Sequence, residues 1–133
     1  MADYVGLCRS NYVRSKDKAA LIEFLRTFDD ICIAERDDQV CFYAEEGGLA
    51  SRWTNDDERE TLEDRAKDLA DLLADGEVLV IQEIGFERLR YFVGFSIAIH
   101  SSGRTTKVSI EDIYELASLE FDVEPDAISH CSY

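Results

Sequence analysis

One proline, one tryptophan, one methionine and four lysines are all that 133 residues contain of those types. With Pro125 as the sole proline, no Pro-rich linker divides the chain, and a single domain over residues 1–133 is expected. No apolar run approaches the ~18 residues that cross a bilayer. Asp3 stands where a signal peptide would carry basic residues, so a cytoplasmic protein with no membrane partner is expected. Cysteine is sparse and unpatterned. Cys8, Cys32, Cys41 and Cys131 form no CxxC pair, and neither histidine stands at zinc-finger spacing. Free thiols are expected, with Cys32 and Cys41 near each other across a short hairpin. Basic residues are the largest shortage: 14 Lys+Arg face 29 Asp+Glu, a formal charge of −15. Residues 1–60 hold 14 acids and 8 bases, and residues 61–133 hold 15 and 6, so the excess is not a detachable tail. Such a surface repels nucleic acid and anionic membranes and suits a basic protein.

What the chain does have is apolar content, 46% hydrophobic residues, enough for a folded core despite the charge. The richest stretch is EVLVIQEIGFERLRYFVGFSIAIH, residues 77–100. Val78, Val80, Gln82 and Ile84 read as one face of a strand, and Tyr91, Val93, Phe95, Ile97 and Ile99 as one face of the next. Residues 85–89 would connect them. Gly94, Ser96 and Ala98 are small enough to admit a helix closely, which predicts a helix-covered sheet centred on this hairpin.

Around it, residues 3–14 read as a strand broken near Arg9–Asn11. A helix over 17–28 follows, with Asp17 as N-cap and Ala20, Leu21, Phe24, Leu25 and Phe28 as its stripe. Segments 31–35 and 39–45 form a second hairpin. Residues 45–55 read as a loop whose Trp53 plugs a gap beside the sheet. Residues 56–75 read as a long helix, with Asp57 and Glu60 as its capping box, Leu62, Ala66, Leu69, Ala70 and Leu73 as its core stripe, and Gly76 at C′. A strand over 104–108, a helix from Ile110 capped by Ser109, and an irregular tail over 121–133 complete the chain. The expected fold is α+β: an antiparallel sheet of about five to six strands, ordered β-α-β-β-α-β-β-β-α, with three helices packed mainly on one face.

No nucleophile–base pair stands out. His100 and His130 lack an adjacent acid, His100 reads as a turn residue, and Glu83 has Arg88 or Arg90 as a partner across the hairpin. Neither catalytic residues nor a cofactor are expected, and Gly47-Gly48 is too little for a phosphate loop. The candidate binding residues are the acids at three- and four-residue spacing on the 56–75 helix: Asp57, Glu60, Asp64, Asp68, Asp71 and Asp75. Glu83 and Glu87, with Glu45, Glu46 or Asp112, would extend their field. At ~1.5 Å rise per residue such a ridge places a charge every ~4.5–6 Å, against ~3.4 Å for phosphates along a DNA strand. Three readings stay open: a DNA-like surface presented to a basic, nucleic-acid-binding effector or nuclease, an acidic accessory or immunity protein that neutralises a basic partner without mimicry, and salt adaptation.

The opening GLCRSNYVRSKD, the segment GEVLVIQEIGFERLRYFVGFSIAIHSSG and the following VSIEDIYELA resemble a family of small acidic proteins of plasmids, phages and other mobile elements. Its motifs are not catalytic signatures, and the resemblance assigns no activity. It implies an antagonist of host defence of the anti-CRISPR or anti-restriction kind, several of which imitate DNA. Arg9-Ser10-Asn11-Tyr12 and Glu87-Arg88-Leu89-Arg90-Tyr91 carry it most clearly.

Overall fold

The computed structural model describes residues 4–45, 48, 51–87 and 91–131, with Trp53 as backbone alone. Its main sheet is built on the hairpin of β7 (Val78–Glu87) and β8 (Tyr91–His100), the two longest strands. β1 (Tyr4–Ser10) pairs antiparallel with β7 from Tyr4↔Glu87 to Ser10↔Ile81. On the other side, β9 (Thr105–Ser109) pairs with β8. Beyond β1, β4 (Gln39–Ala44) pairs with β1 and then with the two-residue β2 (Val13–Arg14), while β3 (Cys32–Arg36) takes its outer edge. The chain is α+β: a seven-stranded antiparallel sheet with helices α1 (Lys18–Arg26), α2 (Ala66–Leu72) and α3 (Asp112–Phe121), and a small second sheet of β5 (Ser51–Trp53) and β6 (Arg59–Thr61).

Local chemistry accounts for the boundaries. Asp17 accepts the Ala20 N–H at 3.2 Å and starts α1. Between β3 and β4, Asp37 takes φ 56°, a left-handed turn position that Asp tolerates better than most residues. Between β1 and β2 the strand breaks at Asn11, and its side-chain amide takes over as a substitute backbone group. Asn11 Nδ2 donates to the Val78 carbonyl at 3.0 Å, and Asn11 Oδ1 accepts the Val80 N–H at 2.8 Å. Next to it, Ser10 Oγ accepts the Phe42 N–H at 2.9 Å. The Arg9-Ser10-Asn11-Tyr12 segment therefore stitches β1, β4 and β7 at the break.

The core gathers Leu79, Ile81, Ile97 and Ile99 from the central hairpin with Leu21, Leu25 and Phe28 from α1 and its end, and Leu62, Leu69, Ala70 and Leu73 from the α2 region. Each fully buried aliphatic side chain contributes about 1.5–3 kcal/mol. α3 contributes no buried residue.

Several expectations are corrected. Leu79 pairs with Ile99 and Ile81 with Ile97, so the Val78–Val80–Gln82–Ile84 row and the Phe95–Ile97–Ile99 row lie on opposite faces of the sheet. Gly94, Ser96 and Ala98 share the face of Ile84, not the core face. What approaches Gly94 is the side chain of Ile110, 3.0 Å from where a Cβ would stand. Pairing continues to Glu87↔Tyr91, which moves the hairpin connection beyond Gly85, Phe86 and Glu87. Helix 56–75 exists only over Ala66–Leu72, preceded by a 3-10 turn at Glu63–Arg65. Asp57 has φ 57°, incompatible with a helix start, and Thr54 instead closes a turn by accepting the Asp56 and Glu58 N–H groups at its hydroxyl. Gly76, at φ 84°, sits in a turn past the helix end rather than at C′. Two expectations hold: Cys32 pairs with Tyr43 and Cys41 with Ala34, which leaves Cys32 and Cys41 diagonal neighbours on one face of the β3–β4 hairpin, and the four cysteines are free thiols. No helix among the described residues is long and apolar enough to cross a membrane. The expected role of the Trp53 ring lies outside the described residues, as do Glu46, Gly47, Arg88 and Arg90.

Candidate interaction surfaces

The six acids of the expected ridge do not share a helix face. Asp57 lies in the β5–β6 turn and Glu60 in β6. Glu60 faces inward, its side chain 15% exposed, and accepts from Arg52 Nε at 2.6 Å and Arg65 Nε at 3.2 Å. The Arg52 hydrogen bond, aided by Arg65 and opposed by burial, holds its carboxyl below the usual 4.5. Asp64 accepts the Thr61 N–H at 2.9 Å while the Thr61 hydroxyl accepts the Asp64 N–H at 3.4 Å. That is a reciprocal cap, set four residues later than the sequence suggested. Asp68 pairs with Arg65 at 3.3 Å. Only Asp68 and Asp71 belong to α2, and Asp75 follows it.

Glu83 and Glu87 are corrected more sharply: both are buried, at 7% and 6% exposure. They point to the core side of β7, where the Tyr4 hydroxyl donates to Glu83 Oε2 at 2.6 Å and the Tyr91 hydroxyl to Glu87 Oε2 at 2.7 Å. The Tyr4 ring crosses Gly6 and Gly85, where any Cβ would collide with it. Burial first, then Glu83, raises the Tyr4 hydroxyl well above its ordinary 10.0. These two carboxylates belong to the interior and not to an exposed binding surface.

Register assigns the other face of the sheet residue by residue, because paired residues point the same way. Val5, Phe86 and Phe92 form one row, Leu7, Ile84 and Gly94 the next, and Arg9, Gln82, Ser96 and Val108 a third. Beyond Arg9 the face continues through Tyr43, Cys41, Ala34 and Arg36. None of the described strand residues on this face is Asp or Glu, in a chain with 29 of them. Glu45, one residue past β4, stands at the rim and lines a cavity of about 480 Å³ with Leu7, Arg9, Tyr43 and Ile84. The face is apolar as well as acid-free: Val5, Leu7, Ile84, Phe86, Phe92 and Val108 are all exposed, Ile84 by 62%. Comparison with protein-family models, curated proteins and solved structures finds no match to this chain. Its surfaces must therefore be read on their own chemistry.

The carboxylates are densest elsewhere. After Lys107 the sequence has no Lys or Arg, yet Glu111, Asp112, Glu115, Glu120, Asp122, Glu124 and Asp126 follow within α3 and the turn beyond it. All seven are exposed. Asp112, the first residue of α3, accepts the Ser109 N–H at the end of β9 at 2.7 Å. Helical spacing favours residues 56–75 over this arm, although the missing cations are visible in the sequence. The histidines have structural surroundings: His100 Nδ1 accepts the Ser102 N–H at 3.0 Å within a turn, and His130 stacks on Tyr114 at 4.0 Å.

Proposed function

We propose that this is a non-enzymatic binding protein whose acidic exterior engages and blocks the basic surface of a nucleic-acid-handling protein. The observation that carries this reading is the partition of charge. A coat that served solvation in brine would cover every exposed face, whereas here the described strand residues of an exposed sheet face include no carboxylate and the C-terminal arm has no Lys or Arg. Salt adaptation gives no reason for that division. A basic partner does, because charge concentrated on one surface steers and orients its encounter.

A phosphate-like row centred on a 56–75 helix and extended by neighbouring acids loses its helix. Binding by the arm around α3, supplemented by the exposed turn Asp56–Glu58, needs no regular row. The host-defence setting implied by the resemblance to mobile-element proteins suits such a blocker.

The test uses the immobilised protein to capture a partner from an extract of the native host, eluted by a salt step and then purified. Calorimetry follows with a variant carrying Glu115→Gln, Glu120→Gln, Asp122→Asn and Glu124→Gln. Asn keeps the left-handed φ of 55° at position 122 accessible. Affinity should fall at least tenfold, about 1.4 kcal/mol, and the salt dependence should flatten. Equal affinity and equal salt dependence would remove the arm from the interface.

A further inference from the structure

α3 poses a problem that the chain alone does not solve. A helix of ten residues is marginal in water unless an apolar face is packed. Yet no residue of α3 is buried, and Ile113, Leu116 and Leu119, recurring every third residue, are 58%, 59% and 74% exposed. Its start is firmly held: the Ile110 N–H donates to the Gly94 carbonyl at 2.9 Å, and the Ile110 side chain rests on Gly94. From that corner α3 leaves the sheet with its stripe uncovered, beside a sheet face that is itself apolar and uncovered.

We propose that the occupant of both surfaces is a second copy of this chain. In a two-fold dimer, α3 of each protomer lies across the acid-free sheet face of the other, its stripe against Leu7, Ile84, Phe92 and Val108. Isologous pairing satisfies both uncovered surfaces at once, as a self-complementary patch must. The charges agree. The described strand residues of the face include Arg9 and no carboxylate, with Glu45 at the rim, while α3 carries Glu115 and Glu120 beside its stripe.

The area is set by the helix. Strands β1, β7, β8 and β9, of 7, 10, 10 and 5 residues, present roughly 500 Å² of flat face at ~3.3 Å rise and ~4.8 Å spacing. The helix, about 15 Å long and ~10 Å across, covers roughly 150 Å² of it. Each protomer, giving its own helix and the stretch its partner's helix covers, contributes roughly 300 Å² of flat area, which makes this a weak, concentration-dependent dimer beside the ~800 Å² per partner of a stable interface. The cost is repulsion between two bodies of charge −15, which salt screens beyond ~10 Å at 0.1 M. The dimer should therefore tighten with added salt while binding to a basic partner loosens, so failure of either proposal is distinguishable from failure of the other.

Sedimentation equilibrium at tens of micromolar protein tests it, with Ile84→Asp disabling the face and Leu116→Asp disabling the helix. Both sites are exposed, and circular dichroism checks that each variant keeps the fold. The unmodified chain should sediment above 15.1 kDa, its mass rising toward twice that value as concentration is raised. Each variant alone should dimerise at least tenfold more weakly. An equimolar mixture should regain dimer, because it restores one intact helix on one intact face. An unmodified chain of 15.1 kDa, a dimer that survives both substitutions, or a mixture that stays monomeric would each overturn the exchange of helices.

Discussion

At the scale of single residues, the side chains that looked like surface acids divide by partner. Glu83 and Glu87 sit inside with tyrosine hydroxyls, and Glu60 sits between two arginines. Tyr4→Phe removes the donor at 2.6 Å from a buried carboxylate, and should destabilise the fold by about 1–3 kcal/mol in urea unfolding. The same pair sets an alkaline limit. Above the ordinary tyrosine value of 10.0 the unfolded chain releases a proton that folded Tyr4 retains. Unfolding free energy should therefore fall as pH rises past that point, and less steeply in Tyr4→Phe. Glu60 works in the opposite sense: its folded carboxyl titrates below 4.5, so its stabilisation is present above that value and is lost as pH falls below it. Glu60→Gln should shallow the acid limb of the same pH series. Gly85 is a third test. A Cβ there would stand 2.6 Å from the Val5 carbonyl oxygen, which the β1–β7 ladder holds in place. Gly85→Ala should lower stability by about 1–3 kcal/mol. None of these environments was legible in the sequence. Alternation shows that Glu83 shares a face with Ile81, but not that Tyr4 arrives from β1 to meet it.

At the scale of elements, sequence reading succeeded where periodicity and capping agreed and failed where they competed. α1 appears with its Asp17 cap, and the β3–β4 and β7–β8 hairpins with their strands, because each had one consistent period, although β7 runs past the expected connection at Gly85 to Glu87. The stripe Leu62, Leu69, Ala70 and Leu73 is buried as expected, yet the helix beneath it is short. Acids at helical spacing before Leu62 extended the apparent period into a segment that pairs as β5–β6, where Arg52 faces Glu60 across the strands. The true start is the Thr61–Asp64 cap. Asp64→Ala should consequently cost about 0.5–2 kcal/mol in a thermal or denaturant melt. Asp71→Asn, on the exposed side of α2, should stay within about 0.5 kcal/mol of the parent. Equal effects would return both residues to a single solvated ridge. The face of the sheet was the other failure. Two apolar rows on opposite faces of one hairpin look like one core until register shows that only Leu79, Ile81, Ile97 and Ile99 meet α1 and α2.

At the scale of the molecule, composition forecast the charge but not its distribution. A net −15 describes a coat, whereas the fold separates an acid-free apolar sheet face from an arm with seven carboxylates and no cation. On the proposed function that separation makes the acidity a binding property, and the proposal makes a direct demand on stability. The described fold has a continuous buried core and specific ion pairs, including Arg52–Glu60–Arg65, so it should stand without concentrated salt. The deciding measurement is thermal unfolding followed by circular dichroism at low ionic strength, about 0.1 M, where the Debye length is ~10 Å, and again in several molar KCl. A cooperative transition from a folded baseline at the lower salt is the predicted result. A chain unfolded there and restored only by molar KCl would contradict it, and would return the charge to salt adaptation.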